Sequence, residues 1–357
     1  MAEAAAGSLP RLEERAPGPG ARLLSFLATL ARRKPLGFFG LLVLLFMLVL
    51  ALFPDVFATH SPAEAAGDRF LRYCLGPSGS AFCPTERQED SLLPGGGFVK
   101  EGQLDTPLGT DQLGRDIYSR MIYGARVAMY VGLFAVLISS LLALVVGVTS
   151  AYFGGIYDSI LQRVVDAVMA LPPLVILISL PTLIGGWDLD GPLDRIPGVP
   201  AFMLDRPGIT NFKLVIILGI LGGASGSRVI RSAVIGVRSA QYLEAATVLG
   251  ASHVRVMVRH IVPNIFGPLM VQATIALGGI ILTEAALSFL GLGDTSPDRP
   301  SWGQMLQLGA SVSSAQPMQA VYPGIGIALA VFSFNMLGDA LRDLLDPRLR
   351  GARGSFG

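Results

Sequence analysis

The sequence predicts an all-α integral membrane protein with six transmembrane helices. Three observations carry this. Of 357 residues, 52% are hydrophobic and only 15% charged, where an average soluble chain is about 25% charged. Mean hydropathy is +0.58. The apolar residues also fall into separate runs, six of which approach the roughly 20 residues a helix needs to cross the hydrocarbon core with its backbone hydrogen bonds satisfied internally.

Residues 1–35 read as a cytoplasmic tail. Its Ala4–Ala6 and Pro17-Gly18-Pro19-Gly20 stretches are small, Pro/Gly-rich and unpatterned, and are expected to be disordered. The first membrane helix is expected over 36–53, with Pro35 where a first helical turn tolerates it. It is read as a retained anchor, since no small-x-small cleavage site follows it cleanly. A polar loop over 54–126 comes next, irregular to about Asp105, with Leu93-Pro94-Gly95-Gly96-Gly97 in its middle.

A core of five helices is expected over 127–340. The second span runs from about Val127 to Tyr152, and the connector Phe153–Asp158, with Gly154-Gly155, leads to the third, about Ile160 to Ile184. The fourth, about Phe212 to Gly226, is short and dissolves into a stretch bearing Arg228, Arg231, Arg238, Arg255 and Arg259. The fifth spans about Ile265 to Leu292 and the sixth about Val321 to Leu337. Residues 341–357 form a C-terminal tail.

Lys and Arg beside short loops set orientation. Arg11, Arg15, Arg22, Arg32, Arg33 and Lys34 place the N-terminus in the cytoplasm. Six crossings return the C-terminus there, where Arg342, Arg348, Arg350 and Arg353 agree. On this count the 54–126 loop is external, and Cys74 and Cys83 within it meet oxidising conditions. They either close a disulfide ring or stay as free thiols.

Composition excludes some functions. A net charge of +1 with no basic face gives no footprint for nucleic acid. None of the three lysines, Lys34, Lys100 and Lys213, precedes Ser or Thr, so the chain has no P-loop of the form GxxxxGK[ST]. Any ATP hydrolysis has to come from another chain. Two cysteines alone define no metal site.

The segment about 228–263, cytoplasmic on the same count, is the most informative. Glu244-Ala245-Ala246-Thr247-Val248-Leu249-Gly250 reads as a short helix with small residues on one side, ended by Gly250 as a left-handed cap. An amphipathic turn, Val254 to Arg259, follows, and Pro263 restarts the next helix. Small residues let such a helix enter a partner's groove, and a carboxylate at its start can pair with basic groups there.

This stretch resembles the "EAA" coupling loop of binding-protein-dependent ABC importer permeases, with Glu244, Ala245, Ala246, Gly250 and Pro263 in register. Ile261 falls between His260 and Val262, where the pattern has Ile and Leu instead. Three further blocks resemble the dipeptide, oligopeptide and nickel branch: Pro107–Asp116, Thr283–Gly293 and Leu337–Arg348. The last resembles the second, "C"-type permease of a heterodimer. The resemblance implies a type I ABC importer permease fold in a bacterial cytoplasmic membrane. It implies half of a pathway for di- or oligopeptides, with nickel or another small solute as the alternative cargo. It also implies four partners: a second related permease, two ATPase subunits that bind ATP and Mg, and an extracytoplasmic substrate-binding protein. On this reading Glu244, Ala245, Ala246, Gly250, Ile261 and Pro263 couple to the ATPase, and the chain has no catalytic residue, cofactor or metal of its own.

Three features admit two readings. Glu284 lies within a membrane helix, where a carboxylate marks a pathway or supports packing. Gly219/Gly223 and Gly222/Gly226 give GxxxG spacings for close helix packing, within one subunit or between two. Gly223-Ala224-Ser225-Gly226 matches the GxSG of intramembrane serine proteases, but a serine nucleophile needs a histidine base. His253 and His260 lie in the Arg-rich segment and His60 at the other face. A secondary transporter would show inverted repeats or broken midplane helices, and neither is visible in the sequence.

Overall fold

The computed structural model describes residues 19–66, 106–183, 209–239, 241–293, 296–314 and 316–345. Cys74, Cys83 and the proposed C-terminal tail beyond Leu345 lie outside them. The described residues are helical, with only two isolated bridges, Ala65 to Arg115 and Thr110 to Asp116. In chain order the helices are α1 (Pro19–Arg33), α2 (Pro35–Leu52), α3 (Pro54–Phe57), α4 (Ile117–Phe153), α5 (Gly155–Ala170), α6 (Pro173–Leu183) and α7 (Ile209–Arg238). They continue with α8 (Gln241–Val248), α9 (His253–Val256), a π-helical turn (Met257–Ile261), α10 (Val262–Asn264), α11 (Phe266–Phe289), α12 (Trp302–Ser311) and α13 (Met318–Leu345).

Five of these are long and apolar enough to cross a membrane: α2, α4, α7, α11 and α13. The expected third span, Ile160 to Ile184, is divided into α5 and α6. Pro172 and Pro173 bring no N–H to the helix ladder, and Leu171 before them takes extended angles, φ −78° and ψ 134°. At the N-terminus Pro19 and Gly20 open a helix where an unpatterned tail was expected, and Ala4–Ala6, Pro17 and Gly18 lie outside the described residues. From Pro19 to Arg33 the chain is helical, and Leu30 in its last turn is fully buried.

The fourth expected span is also corrected. It does not end near Gly226 but continues three more turns to Arg238. Each added arginine has an acceptor. Arg228 pairs with Asp166, Arg231 forks onto Asp158, and Nη1 of Arg238 donates to the Ala151 carbonyl at 3.0 Å.

Glycines set how closely the helices approach. A Cβ at Gly219, Gly222 or Gly223 would fall 2.7 Å from Ile138, Ser139 or Leu142 of α4. Gly147 of α4 would meet the Ser227 carbonyl at 2.8 Å in return. The GxxxG spacings thus pack α7 against α4 inside one subunit. Gly37 and Gly40 do the same for α2 on α13, where added Cβ atoms would lie 2.2 Å from Cβ of Ala340 and 2.7 Å from the Ser333 carbonyl.

Two apolar cores result. The larger joins α2, α4, α7, α11 and α13 through Leu44, Val131, Leu214, Ile281, Leu287, Ala330 and Phe334. The smaller joins the ends of α4 and α7 to the segment after them through Val148, Ile230, Val234, Leu243, Val256, Ile261 and Ile265.

Candidate functional site

The segment between α7 and α11 is built as a rigid projection. In α8, Leu243 is buried against α4 and α7, while Glu244 and Ala245 are placed by their backbone in the same helix. The helix ends in a Schellman motif: Gly250 has φ +82°, and the Ala251 N–H donates to the Ala246 carbonyl at 3.1 Å. Nothing lies within 4 Å of a Cβ built on Gly250. The need for glycine here is one of backbone conformation, not of space.

Beyond the cap, the Ser252 hydroxyl accepts from the Arg255 N–H at 3.4 Å to start α9. The chain then passes through the π-helical turn, where the Val262 N–H reaches back to the Met257 carbonyl. Pro263, which brings no N–H to the ladder, follows directly after this turn. Ile261 is fully buried in the smaller core, so it seats the segment on its own subunit and offers no surface to a partner. Pro263 is exposed.

One feature escaped the sequence reading. Val248 and Leu249, at the tip of α8, are each 87% exposed. Val254 and Val258 are exposed beside them, flanked by exposed Arg255 and Arg259. Exposed apolar residues gathered in one short segment with arginines among them mark a contact surface.

A polar node joins α5 to the helices on which this projection is rooted. Asp158 accepts from Nε and Nη2 of Arg231 at 2.8 and 2.5 Å and from the Ser150 hydroxyl. Arg231 first, then Ser150, holds the Asp158 carboxyl below its ordinary pKa. Gln162 donates to the Ser150 hydroxyl at 3.0 Å, so α4, α5 and α7 share one cluster.

At the opposite end, the Pro107–Asp116 block forms a second node. Asp111 accepts from the N–H groups of Leu113 and Arg115, at 2.8 and 3.0 Å, and from Nε of Arg115 at 2.8 Å. Gly109 and Gly114 supply φ values of +81° and +78° for this tight fold. Asp116 caps α4 by accepting from the N–H groups of Tyr118 and Ser119 and receives the Thr59 hydroxyl at 2.7 Å. Arg120, buried beneath, donates to the Pro62 carbonyl at 2.9 Å.

Glu284 of α11 is fully buried and accepts the Ser288 hydroxyl one turn on, at 2.8 Å. Helix α12 lies directly over this turn, since a Cβ at Gly303 would sit 2.1 Å from the Ala285 carbonyl. Gly291, with φ +78°, then ends α11. Ser225 of the GxSG match donates its hydroxyl to the Gly222 carbonyl at 2.9 Å, and His253 bonds Tyr152.

The sequence model of the binding-protein-dependent transport system inner membrane component matches residues 139–351. The chain belongs to this family. The match begins inside α4 and takes in the Asp158–Arg231 node, the α8 projection and the membrane helices α7, α11 and α13. The permease is 30% identical over 319 residues to the dipeptide transport system permease protein DppC of Alkalihalophilus pseudofirmus, covering 89% of this chain and 88% of that one. It is 33% identical over 278 residues to the di/tripeptide transport system permease protein DppC of Pseudomonas aeruginosa, covering 78% and 84%. It is 32% identical over 243 residues to the glutathione transport system permease protein GsiD of Pectobacterium atrosepticum, covering 68% and 73%. The chain is therefore an inner-membrane permease component of a binding-protein-dependent transport system.

Proposed function

We propose that this chain is the C-type permease of an ATP-driven peptide importer. It forms half of the pathway with a second related permease, receives peptide from an external binding protein, and is driven by two ATPase subunits that bind ATP and Mg. Helix α8 is the coupling helix, with Glu244, Ala245, Ala246 and Gly250 in it or at its cap and Pro263 at the far end of the segment. Both termini lie in the cytoplasm.

The exposed apolar tip Val248-Leu249, held at a fixed angle by the Gly250 cap and rooted through Leu243 and Ile261, carries this reading. Such a tip fits a groove in a partner, and a rigid root passes the partner's motion to α4, α7 and α11. The relatives named for dipeptides, di/tripeptides and glutathione support a short peptide as cargo.

The test is uptake of a labelled dipeptide together with ATP hydrolysis, measured in vesicles holding the complete transporter. Hydrolysis is expected only when the ATPase subunits are present, and Glu244→Lys is expected to abolish uptake. Parental uptake by that variant, or turnover of ATP by this chain alone, would overturn the assignment.

A further inference from the structure

Helix α5 has a joint at each end. Before it, Gly154 and Gly155 both take left-handed angles, φ +65° and +57°, and a Cβ built on Gly155 would meet nothing within 4 Å. After it, Leu171 is extended, and Pro172 and Pro173 bring no N–H to a continuing ladder. Turns, not continuous helix, therefore join α5 to α4 and α6.

Its neighbours are anchored in apolar packing and α5 is not. Helices α4 and α7 contribute to both apolar cores, and α6 places Leu177 in the larger one. Among the described residues neither core holds a residue of α5, and Val165 is its one buried residue. Polar groups fasten it instead. Asp158, Gln162 and Asp166 recur every four residues along one side. Asp158 takes Arg231 and the Ser150 hydroxyl, Gln162 donates to the same hydroxyl, and Asp166 takes Arg228. The Arg228 and Asp166 side chains are 45% and 56% exposed, so water can replace each partner and the pair opens at little cost.

The coupling segment reaches the first joint directly. Phe153, the last residue of α4, lies edge to face with His253 of α9 at 5.9 Å and, across the joint, with Tyr157 of α5 at 5.4 Å. Arg238, the last residue of α7, donates to the Ala151 carbonyl, and its Nη1 would lie 3.2 Å from a Cβ on Gly154. A displacement of the projection is thus delivered to residues on both sides of the joint.

We infer that α5 is a hinged arm of the transport cycle. It turns as one rod about Gly154–Gly155 and Leu171–Pro172, driven by the α8–α9 projection. The Asp158–Arg231 and Asp166–Arg228 pairs latch it in its present position. The α4–α7 pair, closed by Gly219, Gly222 and Gly223, is the frame against which it turns. The inference rests on the coupling reading given above.

The experiment uses the complete transporter in lipid nanodiscs, with Cys74 and Cys83 replaced by Ser and spin labels on introduced cysteine pairs. Val164→Cys with Leu137→Cys reports α5 against α4, and Ser225→Cys with Leu137→Cys reports α7 against α4. All three sites are exposed. Pulsed electron spin resonance compares the nucleotide-free complex with the complex trapped by ATP and vanadate. The Val164–Leu137 distance should move to a new population on trapping, while the Ser225–Leu137 distance stays. Glu244→Lys should remove that shift. Asp166→Asn should raise the trapped-like population of the nucleotide-free complex by up to about fivefold, the scale of one exposed ion pair, and Asp166→Glu should leave it low.

A Val164–Leu137 distance unchanged on trapping, or equal shifts in both pairs, overturns the inference and leaves coupling through α8 intact. A shift that persists in Glu244→Lys while uptake is lost also overturns it, since the arm then moves without the projection. An Asp166→Asn population equal to the parent's removes the latch and the inference with it. Parental uptake by Glu244→Lys refutes the coupling reading itself.

Discussion

The hydroxyl of Tyr152, in the last turn of α4, lies 2.8 Å from Nδ1 of His253, the first residue of α9. The rings also meet edge to face, with centroids 5.6 Å apart, and Phe153 adds a second edge at 5.9 Å. The longest membrane helix thus grips the segment just beyond the Gly250 cap by one polar contact and two aromatic ones. Motion of α8 reaches α4 here without passing through α7.

Tyr152→Phe keeps both ring contacts and removes the polar one. A single hydrogen bond is worth about 0.5–1.5 kcal/mol net, so the projection should stay folded but swing more freely. The expected outcome is a lower number of peptides moved per ATP hydrolysed, with His253→Phe behaving alike. Unchanged stoichiometry in both would show that coupling does not use this contact.

Asp158 gives a prediction in pH. Its pKa is held below the ordinary value by Arg231 and Ser150, so its contribution to stability is fully present above the unfolded value of about 3.9. That contribution is lost as pH falls through the lower folded value. Asp158→Asn should melt at a lower temperature than the parent at pH 6, and the gap should narrow as detergent-solubilised samples are taken toward pH 3. A gap independent of pH would mean that the carboxylate charge is not what joins α5 to α7.

Packing over Glu284 separates two glycines of similar sequence context. Gly303→Ala would drive a Cβ to 2.1 Å from the Ala285 carbonyl and 2.7 Å from Cβ of Ser288. Backbone cannot yield cheaply there, and overpacking of this kind costs about 1–3 kcal/mol. Gly279→Ala meets nothing within 4 Å and should gain roughly 0.5–1 kcal/mol in helix propensity. The melting temperatures of the two variants should move in opposite directions. Equal shifts would mean that α12 does not rest on α11 at this point.

These residues also show what the sequence could reveal. The apolar runs located α2, α4, α11 and α13 because lipid selects for length and composition, which are local properties. Gly250 was legible as a cap for the same reason: a glycine after a helix of small residues has few other uses. The continuation of α7 to Arg238 was not legible, because arginines after an apolar run read as its end. Their acceptors, Asp166 and Asp158, lie 62 and 73 residues away from Arg228 and Arg231. At the first helix the Pro/Gly content of residues 17–20 read as disorder and hid the start at Pro19. Nothing in the sequence singled out Val248 and Leu249, since exposure of two apolar residues is decided by what the rest of the chain leaves uncovered.

The last prediction concerns that tip. Val248 and Leu249 present apolar surface that the subunit does not cover, and burying a side chain of this size stabilises contact by about 1.5–3 kcal/mol. Val248→Ser with Leu249→Ser should therefore weaken capture of the ATPase subunits, while the permease itself keeps its melting temperature because neither residue touches a core. Gly250→Val acts differently. A β-branched residue is strained at φ +82° by about 1 kcal/mol or more, and relief requires α8 to leave its present angle. That variant should still bind ATPase but transport little, and Gly250→Asn, which tolerates left-handed angles better, should transport more. Co-purification distinguishes the two classes. If the serine pair binds ATPase as the parent does, the tip is not the docking surface. If Gly250→Val transports as well as Gly250→Asn, the angle of α8 does not matter to coupling.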